Sequence, residues 1–227
     1  MIFFGSELFA GGHSSTLQDV KARGKLRCVV TTGLPGFAAP DANGVWRGFD
    51  WDFCRATAAA VLGDANAVDP ITSTGKTRFT KLNAGEGDVL WRNTTITFSR
   101  DVSVKLRFLG VNYYDGQGFM VNKSLGVSSA KELDGASVCI QTGTTTELNL
   151  ADFFSSNNMS YEAVTIETND EARQNYEAGR CDIYTTDASG LASTRSSLPN
   201  PNDHMVLPEI ISKEPLGPAV RQGDDAW

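Results

Sequence analysis

The chain has 227 residues, enough for one large domain or two small lobes with a buried core. Its net charge is −7, and no Lys/Arg cluster carries interleaved aromatic residues, which argues against a nucleic-acid groove and against docking on anionic lipid. No apolar run approaches the roughly 20 residues that a membrane-spanning helix needs.

The first ten residues, MIFFGSELFA, fit a secretion signal poorly. They lack a basic segment, and Glu7 interrupts their short apolar stretch. We interpret residues 1–15 as the remnant of a leader or as a tag.

The first half of the chain alternates predicted helices and strands. Helical spacing of apolar residues, with glycine stops, predicts helices at 16–24, 49–62 and 78–84. Short apolar runs predict strands at 26–30 and 88–91. The Gly/Pro-rich stretches 33–36 and 40–44 predict turns, and 92–100 is predicted to be a polar loop.

The second half repeats this alternation, which predicts α/β lobes with largely parallel sheets. Strands are predicted at 118–121, 137–141 and 181–184, and helices at 144–154 and 170–178. In each half a helix end, a glycine turn, an aspartate and a strand lead into a polar cluster, 92–95 or 185–187. Ligands bind beyond the carboxyl ends of strands in open α/β sheets, so two facing lobes would bring both clusters to one cleft.

The chain has four cysteines, Cys28, Cys54, Cys139 and Cys181. They form no Cys-x-x-Cys pair, and zinc-site spacing is absent, so neither a metal nor a cofactor is predicted. Three disulfide pairings are open, of which Cys28–Cys54 with Cys139–Cys181 would place one bridge in each half. Bridges would indicate an oxidising compartment, and reduced core cysteines are the alternative.

Several long motifs stand in register along the chain. They are RNTTITFSRD at 92–101, YYDGQGFMV at 113–121, QTGTTTELNL at 141–150, AGRCDIYTTD at 178–187 and PEIISKEPLGPAVRQGDD at 208–225. The first four resemble the polar amino-acid-binding proteins of ABC transporters, and the last is similar to the general L-amino-acid binders of that group. The resemblance runs from about Thr16 to Trp227.

This resemblance implies a two-lobe α/β periplasmic binding protein of the Venus-flytrap type. Lobe 1 would comprise 16–111 with 212–227, and lobe 2 would comprise 112–211 with the hinge strands. The implied function is extracytoplasmic, periplasmic binding of a free polar L-amino acid for delivery to an ABC transporter permease, without chemistry. The resemblance is compatible with glutamate, aspartate or glutamine as the ligand, or with a broad range of amino acids.

A free amino acid carries a carboxylate and an ammonium, and each needs a fixed partner once it is desolvated. The planar guanidinium of Arg100 can donate two parallel hydrogen bonds to the carboxylate. Thr144 begins a helix whose free N–H groups favour an anion. Asp187 is the natural partner of the ammonium. The family's ligand residues match these positions, and the full set is Asn93, Thr95, Arg100, Thr144, Thr145 and Asp187.

For the ligand side chain, the resemblance implies that Arg78, with Arg92 as a second candidate, meets a side-chain carboxylate. Leu34, Phe37 and Gly75 would line the pocket wall. The alternatives are a helix-capping role for the threonines, and a capping role for Asp187 at the segment 188–193.

One departure from the family lies at 222–227, where relatives continue into C-terminal helices. Their loss should expose apolar surface, and this predicts a homo-oligomer. Two other functions stay open: a truncated derivative that acts as a sensor or interaction protein, and a dehydratase-like enzyme on the same fold.

Overall fold

The structure is a computed structural model that describes residues 14–227. The predicted leader remnant lies outside the described residues, except for Ser14 and Ser15. The helices are α1 (Ser15–Arg23), α2 (Phe49–Leu62), α3 (Arg78–Asn83), α4 (Phe98–Val102), α5 (Thr145–Ser156), α6 (Asn169–Glu177) and α7 (Ala188–Ser196). Short 3-10 turns occur at Lys123–Leu125, Ala130–Glu132 and Pro201–Asp203.

The strands fall into two five-stranded sheets and two small pairs. They are β1 (Leu26–Thr31), β2 (Ala39–Pro40), β3 (Trp46–Arg47), β4 (Val68–Ser73), β5 (Val89–Leu90), β6 (Leu106–Phe108), β7 (Tyr113–Asp115), β8 (Gln117–Asn122), β9 (Ala136–Gln141), β10 (Tyr161–Ile166), β11 (Ile183–Asp187), β12 (His204–Val206), β13 (Glu214–Leu216) and β14 (Ala219–Arg221).

Each large sheet is the centre of one lobe, which confirms the predicted two-lobe α/β fold. Lobe 1 has the strand order β4-β1-β5-β14-β6, and lobe 2 has the order β10-β9-β11-β8-β12. The first three strands in each order are parallel, while β14 and β8 run antiparallel to their neighbours. The parallel strands point their carboxyl ends to one edge of each sheet, and the polar clusters follow there.

Both disulfides form within a lobe. Cys28 of β1 is bonded to Cys54 of α2, and Cys139 of β9 is bonded to Cys181 just before β11, with Cα–Cα distances of 6.0 and 5.6 Å. Each bridge therefore fastens a buried strand to a neighbouring part of its own lobe. The pairing that places one bridge in each half of the chain is confirmed.

A two-stranded antiparallel sheet, β7 with β13, joins the lobes. Glu214 lies opposite Asp115 in this pair, and Leu216 also bridges to Thr95 of lobe 1. The lobes touch beyond the hinge as well: Asn169 Nδ2 donates to Thr31 Oγ1 at 3.1 Å, and Ser193 Oγ donates to Pro35 O at 2.7 Å. The cleft is therefore closed.

Two local predictions need correction. The stretch 92–100 is not loop throughout, because α4 begins at Phe98, where the Thr97 hydroxyl accepts a hydrogen bond from the Arg100 N–H as an N-cap. The strand predicted at 181–184 instead runs from Ile183 to Asp187, since its antiparallel pairing with β8 continues to Asp187. Asp187 consequently sits at the strand end, against the cleft.

Candidate functional site

A small cavity lies between the lobes, where the carboxyl ends of the parallel strands face each other. Lobe 1 lines it with Arg78, Arg92, Asn93 and Thr95, and lobe 2 lines it with Gln141, Thr144, Thr145, Thr146, Thr186 and Asp187. Its volume is about 20 Å³, which is room for roughly one water molecule. A larger molecule enters only if the lobes part or the side chains move.

Arg78 begins α3 and is 2% exposed. Its Nη1 donates to Thr94 Oγ1 at 3.2 Å, and its guanidinium lies over the Phe79 ring at 4.7 Å from the centroid. Burial, followed by the charges of Arg92 and Arg100, lowers the Arg78 pKa well below its usual range. An unbalanced buried cation of this kind favours an anionic partner.

Arg92 is paired electrostatically with Asp50, the second residue of α2. Burial lowers the pKa of Arg92 to about 10, although the Asp50 charge opposes this shift. Burial also raises the pKa of Asp50 to about 7, against the pull of Arg92 and of a hydrogen bond from the Asn93 N–H. Asp50 Oδ2 and Arg92 Nε have no hydrogen-bond partner among residues 14–227. The negative charge of Asp50 thus partly offsets the positive charge of Arg92.

Arg100 is not among the residues that line this closed cavity, but it contacts one of them. Its Nη1 donates to the Thr95 carbonyl oxygen at 2.8 Å, and its guanidinium lies 5.2 Å from the Phe79 centroid. Burial lowers its pKa to about 10, while the charges of Glu214 and Asp187 raise it. Thr95 lines the cavity, so Arg100 contacts the cavity wall through this residue.

Lobe 2 contributes the first turn of α5. The Thr144 hydroxyl donates to Gln141 O at 2.6 Å and makes no capping bond within the described chain. The Thr145 hydroxyl donates to Glu214 Oε2 at 3.0 Å. Because neither hydroxyl caps the helix, the backbone N–H groups of the first turn stay free among the residues that the structure describes. They give the cavity the positive end of the α5 dipole.

Asp187 supplies the buried acid of lobe 2. Burial, followed by the charges of Asp115 and Glu214, raises its pKa to about 7. Its side chain does not cap α7, and its Oδ1 has no hydrogen-bond partner in the described part of the chain. The capping alternative for Asp187 is therefore wrong, and the carboxyl group is available to a cationic ligand group.

Three predicted wall residues lie outside the cavity lining. Leu34 and Phe37 pack with Leu216 in a small cluster beside the hinge. Gly75 lies at the lobe contact, where a Cβ atom would be 2.9 Å from Thr144 Cγ2. The structure therefore brings the polar candidates other than Arg100 together around the cavity and leaves the apolar ones beside it.

Sequence reasoning placed Thr186 only as part of the polar cluster 185–187. It missed four other residues at the site, namely Asp50, Gln141, Thr146 and Glu214. A signal existed for Asp50, which shares the buried face of α2 with Cys54 and Ala58 at i, i+4 and i+8. Glu214 carried no such signal, because only the fold brings the hinge strand next to Thr95.

Residues 26–227 match the family described as bacterial extracellular solute-binding proteins, family 3. The chain belongs to this family. The glutamate/glutamine/aspartate/asparagine-binding protein of Rhodobacter capsulatus is 65% identical over 230 residues, covering 99% of this chain and 68% of the relative. The general L-amino acid-binding periplasmic protein of Rhizobium johnstonii is 60% identical over 214 residues, covering 94% and 63%.

The chain is also similar to solved structures of binding proteins. A periplasmic binding protein from Brucella ovis with glutathione bound is 57% identical, with a TM-score of 0.90, over 93% of this chain and 67% of that chain. An ancestral amino acid-binding protein described as a precursor of cyclohexadienyl dehydratase is 30% identical, with a TM-score of 0.78, over 92% and 87%. The chain spans about two thirds of the length of the Rhodobacter, Rhizobium and Brucella proteins.

Two further observations concern residues 14–227. None of the helices in that range is both long and apolar enough to span a membrane. No group of His, Cys, Asp and Glu side chains in the same range could hold a metal ion.

Proposed function

We propose that this chain binds a free polar L-amino acid between its lobes, in the periplasm, and delivers it to an ABC transporter permease. One observation carries the proposal: lobe 1 presents buried guanidinium groups and lobe 2 presents a buried carboxyl group to the same cavity. Arg78 and Arg92 line one side, and Asp187 lines the other. A zwitterion matches this division of charge.

The two poles of the ligand have separate partners in this proposal. The N-terminus of α5 and Arg100 attract the α-carboxylate, and Asp187 pairs with the ammonium. Arg78 and Arg92 are left for a side-chain carboxylate, which favours glutamate and aspartate. The names of the Rhodobacter and Rhizobium relatives, which bind these and other amino acids, support the same ligand class.

Uptake in this scheme depends on movement of the lobes. The cavity holds about 20 Å³, so an amino acid enters when the hinge at β7 and β13 opens. Closure then places lobe contacts such as Asn169 with Thr31 around the ligand. The bound and open forms present different surfaces, and a permease can distinguish them.

We propose that no chemistry is done on the ligand. A dehydratase-like enzyme would need a positioned general acid or base in the cleft. The acid that lines the cavity is Asp187, which this proposal assigns to the ligand's ammonium group. His204 lies in lobe 2, away from the lining, where its Nδ1 is 2.9 Å from Tyr176 Oη. Long incubation with ligand followed by mass analysis distinguishes the two functions, because only an enzyme changes its ligand.

The test of binding is calorimetric titration of ligand-free protein with glutamate, aspartate, glutamine and arginine. Arg100→Ala is titrated beside Arg107→Ala, a control in which the lost arginine is exposed and pairs with Asp225. Saturable binding that Arg100→Ala loses and the control keeps supports the proposal. No heat with any of the four would contradict it and favour a sensor or interaction protein.

Self-association is also proposed. Large apolar side chains are exposed on the described chain, among them Phe98 at 83%, Tyr114 at 82% and Leu148 at 68%. Burying such surface between copies is favourable. Sedimentation velocity measures the assembly, and a monodisperse monomer would remove this part of the proposal.

A further inference from the structure

Glu214, in the hinge, accepts hydrogen bonds from both lobes through its carboxylate. It is 2% exposed and lies on β13. Its Oε2 accepts from Thr95 Oγ1 of lobe 1 at 2.5 Å and from Thr145 Oγ1 of lobe 2 at 3.0 Å. Its Oε1 accepts from Asn149 Nδ2 at 2.7 Å and from Ser212 Oγ at 2.6 Å.

These contacts fix the direction of two hydrogen bonds. A carboxylate only accepts, and a threonine hydroxyl has one proton to donate. Thr95 and Thr145 therefore both donate their hydroxyl protons to Glu214, and the two hydroxyl oxygens lie 3.3 Å apart. Both residues also line the cavity. What they present to a ligand is lone pairs, that is, acceptors and no donors.

We propose that Glu214 is a positioning residue that makes this pair of hydroxyls selective for the ligand's ammonium group; the inference rests on the proposed function. An ammonium has three donors. The two hydroxyl oxygens and the unpartnered Asp187 Oδ1 make three acceptors from residues that line one cavity. A ligand that lacks the ammonium leaves these three acceptors without a donor.

The same carboxylate couples selectivity to closure. Thr95 belongs to lobe 1, while Thr145 and Asn149 belong to α5 of lobe 2, so one side chain bonds to both only when the lobes are together. The charge of Glu214 is balanced by Arg100, whose pKa it raises against the effect of burial. The hinge glutamate thus orients the ammonium acceptors at the moment the cleft closes.

Glu214→Gln tests the role with little change in shape. The amide can donate to the hydroxyls, which frees their protons to turn into the cavity. L-Glutamate and glutarate, which lacks the ammonium, are compared by competition against labelled glutamate so that weak binding is still ranked. We expect the ratio of glutamate to glutarate affinity to fall at least tenfold in the variant.

An unchanged ratio in folded Glu214→Gln protein overturns the inference, while failure of the wild type to bind any amino acid overturns the proposed function instead. Asn149→Ala is the matched control: it removes one donor to Glu214 outside the cavity lining, and both affinities should fall alike. If Glu214→Gln does not fold, the ratio of glutamate to glutarate affinity is measured in Thr145→Val instead. A lower ratio supports an acceptor role for this hydroxyl, and an equal loss of both ligands overturns it.

Discussion

Gly75 of lobe 1 and Thr144 of lobe 2 meet so closely that no side chain fits between them. A Cβ atom at residue 75 would lie 2.9 Å from Thr144 Cγ2 and 3.1 Å from the Thr142 carbonyl oxygen. The first contact is relieved only if Thr144 rotates and gives up its hydrogen bond to Gln141 O, and the second needs the Thr142 carbonyl to shift by a few tenths of an ångström. The glycine therefore permits this close contact between the lobes.

Gly75→Val should hold the lobes apart. Overpacking of this kind costs about 1–3 kcal/mol, and the ligand should lose roughly 5–150-fold in affinity because it binds to the closed form. Calorimetry measures the loss, and small-angle scattering should show a larger ligand-bound radius of gyration. Ala60→Val, at an exposed position on α2, is the control. Wild-type affinity in Gly75→Val would show that the contact does not limit closure.

Arg78→Gln should change the ligand preference. The substitution removes a buried charge next to the cavity, and a hydrogen bond to a charged group contributes about 1.5–3 kcal/mol. We expect glutamate affinity to fall roughly 10–150-fold, with a smaller loss for glutamine. Titration with both ligands measures this, and Arg107→Gln serves as the exposed control. Equal losses for the two ligands would assign Arg78 a general structural role.

Asp50 should make stability depend on pH. Burial raises its pKa from 3.8 to about 7, so the folded protein binds more protons than the unfolded chain between about pH 4 and 7. The free energy of unfolding consequently falls as the pH rises through that window, by a few kcal/mol for a shift of this size. Asp187 adds a slope of the same sign.

Asp50→Asn isolates the first contribution, since the amide cannot ionise. Urea unfolding at pH 5 to 8 should show a flatter decline in this variant than in the wild type. Asp152→Asn, at an exposed position on α5, should keep the wild-type slope. The same slope in Asp50→Asn and the wild type would mean that Asp50 is already charged in the folded state.

Each disulfide should stabilise its own lobe. Replacing both cysteines of a pair by alanine should cost about 2–5 kcal/mol, with the larger cost for Cys139–Cys181 because it closes a span of 42 residues against 26 for Cys28–Cys54. Urea unfolding of the two double variants measures both costs. A reversed order would indicate that strain or residual structure outweighs loop length.

The local elements were predictable because their signals are local. The helix 49–62 was predicted with its observed ends, where Gly48 precedes it and Gly63 adopts the left-handed conformation that ends it. Within residues 14–227, nine strands escaped prediction, among them β4, β10, β14 and the pair β7 with β13. For β14 and the β7–β13 pair, the partners lie about 100 residues or more away in sequence, and no short-range pattern encodes that pairing.

The site was predictable to the extent that it lies on motifs. Arg78, Arg92, Asn93, Thr95, Thr144, Thr145 and Asp187 do line one cavity, although their roles toward a ligand stay a prediction. Glu214 could not be placed in this way, and Asp50 only through its position on the buried face of α2. An acidic residue is ordinarily exposed, and it is the packed structure that shows both side chains to be buried.

Strand β14 lies inside the lobe 1 sheet, between β5 and β6. The large sheet of lobe 2 is built from the continuous stretch 117–206, whereas lobe 1 needs residues 219–221 to join strands that precede lobe 2 in the chain. As the chain emerges into the compartment where it folds, the lobe 2 sheet can therefore form first, while the lobe 1 sheet keeps a gap until residues 219–221 arrive. The slow step of biogenesis should then be this late insertion, a contact of high sequence separation.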